Sequence, residues 1–328
     1  MRKKIGIALA LLAAACSPFS AVESRAAAYP DREIRLVVPY AAGGTLDTAT
    51  RQIQMAFAEQ LGVPIMVDNR GGAGGQLGTT LAVKEKQDGY VIGGMASPHL
   101  EFILLLRKPD FSIDDFAWIG GLTSDPACIR VHKDAPWNTL EDLVQDARSR
   151  PAESIVFGVS SLFSDNFVGV KTLEEATGVK FRIVDFGGGG PSRVALVGKQ
   201  IDAVHTNVFS SLHIASESKV LAVQADENKF QELTGNAPTV SEALKTKVPP
   251  LGTRTLFFTT QALKKQYPDR YDFLVDAFKK AVHSEQYVSN MNKLGIFQNI
   301  DYLSPEALDA MVRNNLEVLG VFKHLWEK

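Results

Sequence analysis

The chain has 328 residues, of which 45% are hydrophobic and 22% charged, and its formal net charge is −2. A nucleic-acid-binding protein needs a basic face, which this charge balance does not provide, so we expect no nucleic-acid partner. The length suffices for two domains even after removal of an N-terminal leader.

The first residues have the composition of a secretory signal. A basic start is followed by an apolar run over residues 5–15, which is too short to span a bilayer, and by an Ala-x-Ala motif at residues 26–28. We predict cleavage before Tyr29 and a periplasmic location. Lipid attachment at Cys16 is the minor alternative, because the residues before it lack leucine at the expected position. Cleavage leaves Cys128 as the single cysteine, so we expect no internal disulfide.

Short apolar runs alternate with segments of 3.6-residue periodicity from residue 34 onward. Continuous apolar strands that alternate with helices indicate parallel sheets covered on both faces, and therefore an α/β fold. The C-terminal segment, residues 260–328, is predicted as mostly helical, with one helix start at Ser304. The predicted strands cover residues 34–38, 65–68, 91–95, 118–122, 155–159, 181–185, 201–205, 219–224 and 255–259.

This series of elements favours two α/β lobes joined by a hinge, with a ligand cleft between them. We expect the chain to cross between the lobes near residues 123–130 and 249–254, and the C-terminal helices to return to the first lobe. The first lobe is then formed by residues 29–125 plus 250–328, and the second by residues 126–249. Residues 1–28 are the signal peptide.

Five predicted strands end in loops of small residues. The first loop contains Gly43 and Gly44 and precedes a helix, and the others lie at residues 69–78, 97–99, 158–161 and 187–190. Free backbone N–H groups and the helix dipole favour an anion at such a helix start, and glycine lets the backbone approach it. A tight connection that needs positive φ is the alternative for any single loop. Ligands lie at the carboxyl ends of strands in open α/β sheets, so two facing lobes would enclose a small anion.

Motifs of common enzyme and cofactor sites do not occur in the sequence. The glycine spacing at residues 72–78 resembles a loose dinucleotide-binding motif, but the next strand lacks the required acid. The six histidines show no metal-ligand spacing, and GxxxxGK[ST] and GxSxG motifs are missing. We therefore predict no cofactor, no metal and no catalysis. His99, which follows a strand, is open to two interpretations, a ligand contact and a hydrogen bond that braces the loop.

Two long segments resemble a known family. YPDREIRLVVPYAAGGTLD and VDNRGGAGGQLGTTLAVKEKQDGY are similar to the solute-binding proteins of tripartite tricarboxylate transporters, the Bug or TctC-like family, and a looser likeness continues to about residue 245. The resemblance implies a type II periplasmic-binding-protein fold that closes on a small carboxylate and presents it to membrane permease subunits. A ligand sensor for a membrane histidine kinase is the alternative, and an exported enzyme that uses His99 or Ser160 is a further one. We expect a monomer.

The resemblance also implies where the ligand binds. The family holds its carboxylate largely with backbone donors and bridging waters from the first two glycine loops, and with a small polar loop and a glycine turn in the second lobe. We expect Asp47 to cap its helix and Arg70 to tie a loop to a strand, both as structural residues. Together with the third loop, the candidate ligand-binding residues are Tyr40, Ala41, Ala42, Gly43, Gly44, Thr45, Gly72, Ala73, Gly74, Ser97, His99, Ser160, Ser164, Phe186 and Gly187.

Three departures from the family pattern bear on the ligand. An Ala-Ala pair stands in the first loop where relatives usually carry proline, and Phe186 followed by glycines stands where they often have Tyr-Lys-Gly. Leu162 and Phe163 make the loop after Ser160 bulkier. The missing lysine and the added apolar bulk favour a mono- or dicarboxylate with an apolar or aromatic body over a tricarboxylate.

Overall fold

A computed structural model describes residues 29–327, so the predicted leader and Cys16 lie outside the described residues. The strands of the described part are β1 (Ile34–Val38), β2 (Ile65–Asn69), β3 (Val91–Ser97), β4 (Phe116–His132), β5 (Val156–Val159), β6 (Arg182–Asp185), β7 (Ala203–Asn207), β8 (Ser218–Gln224), β9 (Gly252–Thr260) and β10 (Ile300–Leu303). The helices are α1 (Thr45–Leu61), α2 (Gln76–Lys84), α3 (His99–Leu106), α4 (Leu140–Ser149), α5 (Asp165–Thr177), α6 (Gly189–Val197), α7 (Gln231–Thr234), α8 (Val240–Leu244), α9 (Gln261–Gln266), α10 (Pro268–Val282), α11 (Glu285–Lys293) and α12 (Pro305–Val318).

The first sheet has the strand order β2-β1-β3-β9-β4, and β10 pairs with β4. Its β1 pairs in parallel with both β2 and β3, whereas β9 runs antiparallel to β3 and β4. Helix α1 covers this sheet with an apolar stripe that is buried, and it ends at Gly62, whose φ of 73° is readily adopted by glycine. The carboxyl ends of β1, β2 and β3 therefore lie at one edge of this sheet.

The second sheet has the order β4-β7-β5-β6, with β8 also paired to β4. Strand β5 is parallel to β6 and β7, while β4 is antiparallel to β7 and β8. Each sheet has its own large core of buried apolar side chains. The predicted α/β architecture with two lobes is thus confirmed.

One long strand joins the two sheets. β4 has 17 residues; its first part, up to Pro126, pairs with β9, and its second part, from Ala127, pairs with β7 and β8. The sequence predicted only residues 118–122 of it, because a polar stretch and Pro126 interrupt the apolar pattern. The lobe limits at residues 126 and 249 stay a prediction, and β4 is the strand that takes part in both sheets.

The C-terminal segment contacts both lobes. Helix α10 packs on α1, and β10 pairs with β4 in the first sheet, which is the arrangement expected of a return to the first lobe. Beyond α12, however, the ring of Trp326 lies between Phe102 of the first lobe and Phe167 of the second, at centroid distances of 5.2 and 5.1 Å. The indole N–H of Trp326 also donates to the carbonyl oxygen of Leu162 at 2.8 Å. This bridge was not predicted from the sequence.

Candidate ligand cleft

A small cavity lies between the lobes, at the carboxyl ends of strands from both sheets. Its walls come from the starts of α1, α3, α5 and α6, together with the end of β7 and the start of β9. The lining residues are Tyr40, Gly44, Thr45, Leu46, Ala96, His99, Ser160, Asn166, Gly188, Gly189, Asn207 and Thr253.

Two helices from opposite lobes start at this cavity without a side-chain cap. The N-cap residues are Gly44 for α1 and Gly188 for α6, and neither has a side chain that could accept a backbone N–H. The first N–H groups of a helix have no partner within the helix, so they remain available at both starts. In α6 Pro191 has no N–H, which leaves those of Gly189 and Gly190. The two helix starts together favour a bound anion.

The lobes are closed in this structure, and glycine permits the closure. A Cβ atom on Gly190 would lie 2.6 Å from the carbonyl oxygen of Ala42, and one on Gly188 would lie 2.9 Å from the Cβ of Ala41. Contacts this short do not occur between real side chains and backbone, so larger residues at these positions would hold the loops apart.

A buried arginine connects the two helix starts. The Nη2 of Arg193 in α6 donates to the carbonyl oxygen of Gly43 at 2.6 Å, and its Nη1 donates to the hydroxyl of Thr206 at 3.1 Å. Burial lowers the pKa of this guanidinium to about 10, so it carries its charge at neutral pH. The sequence analysis did not predict a role for Arg193, since nothing in the local pattern shows that α6 faces the first glycine loop.

A chain of hydrogen bonds crosses the cleft through His99. Its Nδ1 lies 3.2 Å from the hydroxyl of Tyr40, and its Nε2 lies 3.1 Å from Oδ1 of Asp165 on α5 of the other lobe. The second carboxylate oxygen, Oδ2, accepts from Asn207 and Thr253, each at 3.1 Å. Burial opposes ionisation of Asp165, but the hydrogen bond and charge of His99 outweigh it, so its pKa lies below the ordinary value.

The amide of Asn166 is the second polar group of the α5 start. Its Oδ1 accepts from the hydroxyl of Ser160 at 2.7 Å. Its Nδ2 has no partner, although the residue is only 3% exposed and lines the cavity. The start of α5 itself is capped by Ser164, whose hydroxyl accepts from the backbone N–H of Phe167.

Asp47 and Arg70, expected as structural residues, hold the first two loops, but the expectation that Asp47 caps α1 is wrong, since it lies inside the helix and the N-cap residue is Gly44. The Oδ2 of Asp47 accepts from the backbone N–H of Gly43 at 2.8 Å, and its carboxylate also binds Arg51 and Asn69. Burial raises the pKa of Asp47, but these three donors more than offset it, and the pKa is lowered overall. The guanidinium of Arg70 binds the carboxylate of Asp68 at 2.9 and 3.0 Å.

The structure brings five of the candidate residues to the cavity wall and leaves the others outside it. Those at the wall are Tyr40, Gly44, Thr45, His99 and Ser160. Those that do not line it are Ala41, Ala42, Gly43, Gly72, Ala73, Gly74, Ser97, Ser164, Phe186 and Gly187.

Contacts in the structure place four of the residues outside the wall. The loop at Gly74 meets Phe163 of the other lobe at the rim, where a Cβ would lie 2.8 Å from that ring. The hydroxyl of Ser97 donates to buried Glu101, behind the cleft. Ser164 caps α5, and the ring of Phe186 packs beside Gly158 in the second lobe. Leu162 and Phe163, the bulky residues of the loop after Ser160, therefore lie at the rim and do not line the cavity.

Three polar residues of the wall were missed. Asn166 stands two residues after Ser164, and Asn207 stands two residues after a predicted strand, so the strand-end rule could have found both. Thr253 lies in the predicted crossing segment, where no local pattern indicates a site. Within residues 29–327 no group of three or more His, Cys, Asp or Glu side chains could hold a metal ion. No helix in this part of the chain is long and apolar enough to cross a membrane.

Comparison with known proteins gives several relatives. Residues 49–311 match the family model described as "Tripartite tricarboxylate transporter family receptor". A protein from the TAR-I ttuE-ttuC′ intergenic region of Agrobacterium vitis is 30% identical over 218 residues, 65% of this chain and 62% of that protein. Protein BugT of Bordetella pertussis is 27% identical over 61% of this chain and 62% of its own length. The matches thus span about three fifths of these two relatives.

Solved structures show the same fold. Periplasmic binding protein BugD has a TM-score of 0.81 at 25% identity, over 90% of this chain and 98% of that one. MatC of Rhodopseudomonas palustris with bound malate has a TM-score of 0.75 at 23% identity, over 88% and 98%. Rpa4515 of the same organism with adipate has 0.78 at 22%, over 90% and 98%. These are binding proteins rather than enzymes, and their fold is the predicted periplasmic-binding-protein fold. The family model covers most of the chain, and we conclude that the chain belongs to the receptor family of the tripartite tricarboxylate transporters.

Proposed function

We propose that this protein binds a small carboxylate between its lobes and presents it to the membrane permease subunits of a tripartite tricarboxylate-type transporter. The observation that carries the proposal is the pair of uncapped helix starts, at Gly44 and Gly188, that face one cavity from opposite lobes. Charge-assisted hydrogen bonds from oriented N–H groups supply affinity for one carboxylate, and Arg193 adds a buried positive charge behind them.

The ligand class follows from the cavity and from the relatives. The cavity of the closed form is small, which favours a compact acid over a large one. The malate and adipate in two related structures are both dicarboxylates, which supports a mono- or dicarboxylate here. We also propose that the ligand can carry an aromatic group, with its ring directed toward the rim residues Leu162 and Phe163.

The cellular setting completes the proposal. Family members are periplasmic, and we propose export through a signal peptide over residues 1–28, with lipid attachment at Cys16 as the minor alternative. A monomer fits a cleft that must open and close freely.

Binding is tested by calorimetric titration of protein that has been refolded to remove any carried-over ligand, with mono-, di- and tricarboxylates and aromatic acids. We expect micromolar or tighter binding by one class of mono- or dicarboxylate. Gly190→Val, which prevents closure, should weaken that binding at least about 100-fold, because the lobes can no longer enclose the acid. Gly320→Val is the matched control, since a Cβ there meets nothing within 4 Å. Absence of binding by every acid, or full binding by Gly190→Val, would refute the proposal.

A further inference from the structure

The cavity contains one buried donor that no group of the protein satisfies. The Nδ2 of Asn166 has no hydrogen-bond partner, and the residue lines the cavity while being only 3% exposed. A buried N–H without an acceptor is costly, so a donor in this position indicates an acceptor supplied by a ligand.

One side-chain contact and the backbone of α5 position this amide. The hydroxyl of Ser160 donates to Oδ1 at 2.7 Å, which leaves Nδ2 as the atom directed away from that contact. The backbone position is fixed as well, because Asn166 belongs to the first turn of α5, which Ser164 caps. The cleft therefore presents a rigid donor opposite the helix starts of α1 and α6.

No carboxylate of the cleft walls, among the residues that the structure describes, is free to receive an amine. Both oxygens of Asp165 are engaged, by His99 on one side and by Asn207 and Thr253 on the other. The carboxylate of Asp47 is directed at the loop and at Arg51. An ammonium group placed next to Asn166 would therefore meet a donor without a carboxylate to pair with.

We propose that Asn166 determines the specificity of the cleft, by donating from Nδ2 to a second oxygen acceptor of the ligand. This inference rests on the proposed function. The preferred ligand class is a small acid that carries a hydroxyl, carbonyl or second carboxylate oxygen in addition to its first carboxylate. The corresponding amino acids are disfavoured, since their ammonium group would meet the amide N–H of Asn166 and finds no free carboxylate among the described residues of the cleft.

The test is calorimetric titration with acids that share one skeleton. Lactate, pyruvate, alanine and propionate differ in a single substituent, and malate, oxaloacetate, aspartate and succinate form the matching set with a second carboxylate. In at least one set, we expect the hydroxy or keto acid to bind at least about 10-fold more tightly than the amino acid. Succinate, whose second carboxylate can itself reach Asn166, should bind more tightly than propionate.

Asn166→Leu and the smaller Asn166→Ala test the residue itself. Both should weaken binding of the oxygen-bearing acids about 10- to 100-fold and reduce the preference for them over propionate to near unity. Asn290→Leu, at an exposed position of α11, is the control and should bind like the unsubstituted protein. We use two variants, so that the second still gives a result when the first fails to fold.

The outcomes separate this inference from the proposed function. If acids bind but amino acids bind equally well, or if both variants retain the preference, the role of Asn166 is refuted while the carboxylate receptor stands. If no acid binds the unsubstituted, refolded protein, the proposed function fails and this inference fails with it.

Discussion

The two facing helix starts at the cleft, those of α1 and α6, differ from five helix starts elsewhere on the molecule, although α2, α3, α7 and α10 also have no side-chain cap. Five helices away from it, α4, α8, α9, α11 and α12, begin at a Ser or Thr whose hydroxyl accepts a backbone N–H. Helices α1 and α6 begin at Gly44 and Gly188, which leave those donors open toward the cavity. Helix α5 is intermediate, because Ser164 caps it while Asn166 offers a side-chain donor instead. Capping stabilises a helix, so its absence at the two facing starts marks where a ligand would supply the acceptor.

The largest loss of ligand affinity should come from a substitution that adds a side-chain cap to α1. Gly44 has an extended backbone, with φ of −73° and ψ of 174°, which aspartate adopts readily. In Gly44→Asp the new carboxylate accepts the first N–H groups of α1, so we expect carboxylate affinity to fall about 1,000-fold while ligand-free stability is unchanged or higher. Calorimetric titration and chemical denaturation measure the two effects. Gly44→Ser, which fills the donors without charge, should lose less affinity; wild-type binding by Gly44→Asp would contradict the account.

A buried carboxylate in the predicted crossing segment, that of Asp125, should make the free energy of unfolding depend on pH. The carboxylate of Asp125 accepts from the backbone N–H groups of Phe209 and Ser210 at 2.8 and 2.9 Å. Burial raises its pKa to about 6. The folded state therefore keeps a proton that the unfolded state loses, and this stability, present in full below about pH 4, is lost as the pH rises through 6.

The variant Asp125→Asn lacks this titration. Relative to the unsubstituted protein, its free energy of unfolding should increase between pH 4 and pH 7 by up to roughly 3 kcal/mol. Urea denaturation at both pH values measures the change. A difference between the two proteins that stays constant with pH would show that folding does not raise the pKa of Asp125.

The buried charge of Arg193 on α6 should contribute to ligand binding, because this side chain holds the first glycine loop at Gly43. Arg193→Gln removes the charge and weakens the contact to the Gly43 carbonyl, and we expect affinity for a carboxylate to fall about 30-fold. Arg193→Lys keeps the charge and should recover part of the affinity. Arg182→Gln, at an exposed position of β6, is the control. Equal affinities for the Gln and Lys variants would show that the charge has no effect.

The smallest effect should come from removing a cap away from the cleft. The hydroxyl of Thr139 accepts from the backbone N–H of Asp142 at 3.1 Å at the start of α4. Thr139→Ala should lower the free energy of unfolding by about 1 kcal/mol. Carboxylate affinity should not change, since this helix start is far from the cavity. A loss of affinity comparable with that of Gly44→Ser would remove the distinction between the two kinds of helix start.

The parts of the fold that follow local periodicity were predictable. β1 has the predicted bounds because an apolar run is closed by Pro39 and a glycine loop. β10 was missed, since its four residues lie in a helical region and are fixed as a strand by pairing with β4. The second half of β4 was missed for a similar reason, because its partners lie about 70 to 100 residues later in the chain.

The site was predictable where a strand, a glycine loop and a helix follow one another, as at Gly44. It was not predictable where residues distant in sequence meet, as for His99 with Asp165 and Arg193 with Gly43. Those contacts depend on the order of strands in two sheets and on closure of the lobes. Neither the strand order nor the closure of the lobes can be predicted from local patterns in a single sequence.

The most direct test of the account is a crystal structure of the refolded protein with the tightest-binding acid from the titration series. The account predicts one ligand carboxylate between the lobes, with its oxygens about 2.7–3.2 Å from backbone nitrogens in the first turns of α1 and α6. An acid bound outside this cavity, or held in it by side chains alone with the N–H groups of both helix starts left open, would contradict it.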